Sequence, residues 1–148
     1  MPATLAHLDA LARLEGEAMG EEAWSRAQVE AELHASDRVV RIATGSEDRV
    51  DAYASLAVAG DTADLLRIAV APGSRRRGVA AALLADALDA LPDSVETVLL
   101  EVAEQNTPAL ALYGRAGFTE IARRQAYYRD GSAAVVMQLR LDSRGGPA

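Results

Sequence analysis

The chain has no cysteine and no lysine. The first absence excludes a thiol nucleophile, a disulfide framework and every cysteine-ligated metal or cluster site. The second makes all 15 basic residues arginine. It excludes Schiff-base chemistry on a lysine and a Walker-type phosphate loop. His7 and His34 are the only histidines, too few for a His-rich metal centre, so no metal is expected. No run approaches the ~20 apolar residues of a membrane span. The first seven residues show neither a basic region nor a long apolar core, so no signal peptide is expected and the cytoplasm is the default location. What remains is 148 residues, half apolar and a quarter charged. That is the balance of one soluble globular domain, expected over residues 1–142 with a frayed tail at 143–148. A net charge of −7 argues against a nucleic-acid partner and mildly favours cationic small molecules or peptides.

Hydrophobic periodicity gives the element order α α β β β α β α β β. Leu5, Leu8, Leu11 and Leu14 recur at helical spacing over 4–19. Ser25 caps a second helix ending near 35. Strands follow at 38–44, 50–59 and 64–71, then a helix over 76–90 that Pro92 stops. The remaining elements are a strand at 95–102, a helix at 107–116 ended by Gly117, and strands at 118–123 and 134–141. The β-α-β-α centre implies a mixed sheet with helices packed on it, an α/β (α+β) architecture.

Two segments carry chemistry. In the first, a buried strand runs through Pro72-Gly73-Ser74-Arg75-Arg76-Arg77-Gly78 into an amphipathic helix. Free N–H groups and the positive end of the helix dipole collect at such a start and suit a phosphate or pyrophosphate. Gly78 lets the backbone approach an anion, and Ala80 leaves room beside it. The alternative is a solvated basic run before a surface helix. In the second, a strand ends at Glu101-Val102 and a helix follows Asn106, an N-cap with Pro108 in the first turn. Tyr113 lies two turns below Asn106, so Glu101, Asn106 and Tyr113 are expected to face one cleft. Taken singly, Tyr113 reads equally well as a core aromatic and Glu101 as an exposed acid.

Together the segments resemble the GNAT family of acetyl-CoA-dependent N-acetyltransferases. Arg75, Gly78 and Ala80 match its Gln/Arg-x-x-Gly-x-Gly/Ala motif. Asn106, Ala109, Leu112, Tyr113, Gly117 and Phe118 match its later signature. The resemblance is nearest to the RimI-type ribosomal-protein alanine N-acetyltransferases, through Trp24-Ser25, Ile68-Ala69-Val70, Leu100-Glu101-Val102, Arg123-Arg124, Tyr127-Tyr128 and Asp130-Gly131. It implies a central mixed, splayed sheet flanked by about four helices, with the first strand short or missing because few residues precede the first helix. It implies acetyl-CoA as cosubstrate. The backbone of Ile68, Ala69 and Val70 and residue Asn106 would hold the pantetheine, and the start at Arg75, Arg76, Arg77, Gly78, Val79, Ala80 and Ala81 the pyrophosphate. Glu101 would be the general base and Tyr113 the general acid. Where RimI-type chains usually carry acids before the last strand, Ser132 and Ala133 stand here.

The implied reaction is direct attack of a primary amine on the thioester, most simply the α-amino group of a (ribosomal) protein. An α-amine has a pKa of ~8 against ~10.4 for lysine, so at neutral pH roughly a tenth of it is already uncharged and a carboxylate acting through water suffices. A small-molecule amine as acceptor, or a non-catalytic acyl-CoA-binding module, are the alternatives. The assembly is expected to be a monomer or homodimer without membrane attachment.

Overall fold

The computed structural model describes residues 1–75 and 78–141. Along the chain it contains α1 (Leu8–Met19), α2 (Arg26–His34), β1 (Arg38–Thr44), β2 (Val50–Ala59), β3 (Thr62–Val70), α3 (Val79–Asp89), β4 (Thr97–Ala103), α4 (Thr107–Arg115), β5 (Thr119–Arg124) and β6 (Ala134–Arg140). This is the element order expected from periodicity. The strands join in one mixed sheet of order β1-β2-β3-β4-β6-β5, accompanied by four helices. β3 and β4 run parallel, whereas β1–β2, β4–β6 and β5–β6 are antiparallel. The contacts divide the chain into two compact units, Met1–Val58 with Leu65–Leu91, and Ala59–Asp64 with Pro92–Ala148.

In the first unit, Leu8, Leu11 and Leu14 of α1 and Val29 of α2 are buried with Ile42, Tyr53 and Ala69 from the strands and Ala71 just after β3. Ser25 accepts the Gln28 N–H at 3.1 Å while Gln28 accepts the Ser25 N–H at 2.7 Å. This reciprocal cap satisfies two amides that the helix start leaves free. Arg41 neighbours Ile42 and therefore points to the opposite face of the sheet. There it donates twice to Asp86 of α3, at 2.7 and 3.0 Å. So α3 covers the face that α1 and α2 do not. The guanidinium of Arg41 holds the Asp86 carboxyl below its usual range.

The sheet edge expected to be short or missing is a single antiparallel bridge, Pro2 opposite Arg41. The Ile42 N–H donates to the Met1 carbonyl at 2.8 Å and the Ala3 N–H to the Val40 carbonyl at 2.9 Å. Proline, which has no N–H, occupies the position that needs no donor. Several boundaries differ from the sequence expectation: the helix set at 4–19 starts at Leu8 after a 3₁₀ turn at Leu5–His7, the strands set at 64–71 and 95–102 lie at Thr62–Val70 and Thr97–Ala103, and the helix set at 76–90 starts at Val79. Gly78 has φ +74°, a left-handed conformation that a right-handed helix cannot contain.

In the second unit, β4 is paired along its whole length with β6, from Thr97↔Arg140 to Ala103↔Ala134. Its parallel register with β3 covers only Thr62↔Thr97, Ala63↔Val98 and Asp64↔Leu99. Residues 65–70 of β3, in the first unit, lie beyond that register. Val98, Leu100 and Val102 are buried on one face of β4. The end of α4 packs on that face: a Cβ at Gly117 would sit 3.2 Å from Leu139 Cδ1, and Leu139 is the register partner of Val98. The other face, with Glu101, is more open.

Candidate active site

Two groups of residues were singled out by sequence, and each lies inside one unit. In the first unit β3 ends with Ile68, Ala69 and Val70, of which Ala69 is buried and the others half-buried. A 3₁₀ turn at Pro72–Ser74 follows, and Gly78 precedes α3 with no side-chain cap. The first intrahelical bond runs from the Ala82 N–H to the Gly78 carbonyl, 3.1 Å. The amides of Val79, Ala80 and Ala81 precede that bond and have no acceptor among the described residues. Among the described residues, chain neighbours aside, no atom lies within 4 Å of where a Gly78 Cβ would stand. Arg75, offered by sequence to an anion, donates from Nη2 to the Ala18 carbonyl at 3.1 Å, so it also fastens the end of α1. Arg76 and Arg77 lie outside the described residues.

In the second unit, Asn106 caps α4 as expected, accepting the Ala109 N–H on Oδ1 at 3.2 Å. Tyr113 is buried, 6% exposed. Its ring meets Phe118 edge-on, with centroids 5.8 Å apart. Among the described residues the Tyr113 hydroxyl has no hydrogen-bond partner, and burial alone pushes its pKa up to about 12. Glu101 alternates with Leu100 and Val102 and so projects to the opposite face of β4. There Arg124 of β5 pairs with its Oε1 at 3.2 Å, and the Arg124 guanidinium lies 5.5 Å from the Tyr127 ring centroid. The structure therefore brings Glu101 to an exposed charged face and Tyr113 into an apolar one. No contact between the two is present among the described residues.

The segment between β5 and β6 folds back on itself. Asp130 accepts from the backbone and hydroxyl of Ser132, and Glu104 accepts the Ala133 N–H. The pair Ser132-Ala133, noted as a departure in sequence, thus forms a turn locked to the end of β4.

Sequence reasoning missed a cluster in the first unit. Glu15 is fully buried and binds Arg67, Tyr53 and the Trp24 amide. Burial works against its charge, but the hydrogen bonds from Arg67, Tyr53 and Trp24 prevail and hold its pKa below the usual carboxylate value. A signal was present: Glu15 follows Leu8, Leu11 and Leu14 on the apolar stripe of α1, four residues after Leu11.

Comparison with known proteins gives a consistent picture. The acetyltransferase (GNAT) family profile matches residues 8–118. The [ribosomal protein bS18]-alanine N-acetyltransferase of Salmonella typhimurium is 39% identical over 93 residues, an alignment covering 62% of this chain and 63% of that protein. The crystal structure of the ribosomal-protein-S18-alanine N-acetyltransferase from Escherichia coli superposes with a TM-score of 0.84 at 31% identity, covering 95% of this chain and 91% of that one. Arabidopsis thaliana NAA60 in complex with acetyl-CoA shares the fold, with a TM-score of 0.83 at 16% identity over 96% of this chain and 97% of that one.

Proposed function

Because the chain belongs to the acetyltransferase (GNAT) family, we propose that it transfers acetyl from acetyl-CoA directly to the N-terminal α-amino group of a protein, a ribosomal protein in the first place. The Salmonella and Escherichia relatives are ribosomal-protein-S18-alanine N-acetyltransferases, which supports that acceptor. The same reading treats residues 1–142 as one catalytic domain acting in the cytoplasm.

The observation that carries the reading is Tyr113, buried and with no hydrogen-bond partner for its hydroxyl among the described residues. Buried polar groups are nearly always hydrogen-bonded, and an exception calls for a reason. A phenol kept dry and protonated is suited to donate to a departing sulfur. The residues of the first unit fit the donor: a helix start whose first three amides have no acceptor among the described residues, and a glycine beside which no described atom stands within 4 Å of a would-be Cβ. Val79, Ala80 and Ala81 would hold the diphosphate with Arg75, Arg76 and Arg77. The backbone of 68–70 and the amide nitrogen of Asn106, not engaged in the cap, would hold the arm.

Glu101 then takes the amine proton through a water, using Oε2 while Arg124 keeps Oε1. Tyr113, on the other face of β4, supplies the proton at the leaving sulfur. With Tyr113 at about 12 and a thiol at ~8.5, donation is uphill by about 5 kcal/mol at ~1.4 kcal/mol per unit. The sulfur leaves into the same water-poor surroundings, where its own thiolate is disfavoured, and that narrows the difference. An exposed carboxylate suffices as base because an α-amine needs little help to lose its proton.

The test is acetyl-CoA consumption with peptides that begin with free alanine, set against lysine side chains and small amines. Turnover of the alanine peptides is the expected result. Turnover of small amines alone would move the acceptor to that class, and binding without turnover would remove the enzymatic reading.

A further inference from the structure

Glu15 carries a carboxylate with no exposure in the turn of α1 that buries Leu11 and Leu14. Its Oε1 accepts the Trp24 N–H at 2.9 Å and Arg67 Nη2 at 2.5 Å. Its Oε2 accepts Arg67 Nε at 3.0 Å and the Tyr53 hydroxyl. All the acceptor positions of the carboxylate are taken, so Glu15 has none to offer a substrate proton. Arg67 goes further. Its Nη2 also donates to the Glu22 carbonyl at 2.8 Å, and its guanidinium lies 4.6 Å from the centre of the Trp24 ring. Stability alone is a weak reason for such a pair, because apolar residues of equal volume usually serve a core as well or better. What apolar residues cannot do is grip the backbone of a turn. The pair binds the carbonyl of residue 22 and the amide and ring of residue 24, all in the connection between α1 and α2.

The position of Arg67 gives that grip a purpose. It immediately precedes Ile68, Ala69 and Val70 on β3. Arg75, after the same stretch, holds the Ala18 carbonyl. The two arginines, on either side of residues 68–74, therefore fasten the last turn of α1 (Arg75) and the connection that follows it (Arg67). We infer that Glu15 and Arg67 are positioning residues: they set the 20–24 turn beside residues 68–70, and the turn orients the acceptor amine toward the thioester. The inference rests on the proposed acetyl transfer, since it needs the thioester arm on 68–70.

The test uses the double variant Glu15→Gln with Arg67→Met, and separately Arg67→Lys. Gln keeps an acceptor for the Trp24 amide and turns an N–H donor to the Tyr53 hydroxyl oxygen, which can accept it, and Met fills the space, so no charge is left buried alone. Acceptor KM, acetyl-CoA affinity by calorimetry, and acrylamide quenching of Trp24, the single tryptophan of the chain, are measured on each. The expected result is an acceptor KM raised about tenfold or more, since small misplacements of a bound group cost that much. Acetyl-CoA affinity stays unchanged and Trp24 becomes easier to quench. Arg67→Lys recovers part of the KM, because it keeps the charge and loses the fork. An unchanged acceptor KM, or equal losses for both substrates, overturns the inference. If the double variant does not fold, Arg67→Lys decides by the same split. If the wild type acetylates no amine, the proposed function fails by itself. The Trp24 quenching then still decides the hold on the turn, and no change in it overturns the inference.

Discussion

Replacing Tyr113 by phenylalanine separates chemistry from stability, and the structure sets both magnitudes. The ring is buried and packs edge-on against Phe118 at 5.8 Å, so Phe preserves shape and contact. The hydroxyl that is removed has no hydrogen-bond partner among the described residues, and a buried polar group left unpaired costs about 1–3 kcal/mol. Tyr113→Phe is therefore expected to be as stable as the wild type or about 1 kcal/mol more stable, a rise of roughly 2–4 °C in Tm for a chain of this size. Turnover is expected to fall on the order of 100-fold or more, the usual contribution of a general acid. Release of the free thiol can be followed with a chromogenic thiol reagent, and a chain without cysteine contributes no background. A second signature comes from pH. Burial places Tyr113 at about 12 in the folded state, above the ~10 of an exposed phenol. The protonated form therefore favours folding: its contribution is complete below pH ~10 and is lost as pH rises through about 12. That interval amounts to about 3 kcal/mol, and Tyr113→Phe should lack this alkaline loss. Full turnover in the variant would remove the acid role. A clear loss of stability would show that the hydroxyl has a partner.

Glu101→Gln should lower kcat on the order of 100-fold and leave acetyl-CoA affinity intact in calorimetry; wild-type turnover would assign the base elsewhere. Gly78→Ala meets no atom within 4 Å but must hold φ +74°, so about 1 kcal/mol of stability should be lost in denaturant titration. Its methyl would enter the space assigned to the diphosphate, so acetyl-CoA affinity should fall as well. Gly78→Asn, which tolerates that φ better, should recover the stability and not the affinity. Asn106→Ala removes the cap of α4 and should cost about 1 kcal/mol, measured as a lower Tm, together with weaker acetyl-CoA binding.

Much of the fold was legible locally. The helical spacing of Leu8, Leu11 and Leu14, the Ser25 cap and the Gly117 stop each act within one or two turns of chain, where propensity and periodicity decide. Among the boundaries that shifted, the start of α3 depended on a single backbone conformation: nothing in the run of arginines before Gly78 shows which residue turns left-handed. Glu101 and Tyr113 could be named from sequence, but the expectation that they share one cleft with Asn106 used spacing along the chain. Alternation along β4 puts Glu101 on one face, and α4 carries Tyr113 to the other.

The sequence by itself determined the element order, the apolar stripes, a helix start following the run of arginines and the two signatures of the acetyltransferase family. These follow from short-range sterics, capping and hydrophobic period. Only the tertiary structure decided that Arg67 closes on Glu15 across 52 positions, that Arg124 holds Glu101, and that the Tyr113 hydroxyl has no partner among the described residues. The reason is physical: desolvation and ion pairing act through space, between residues that no local pattern joins.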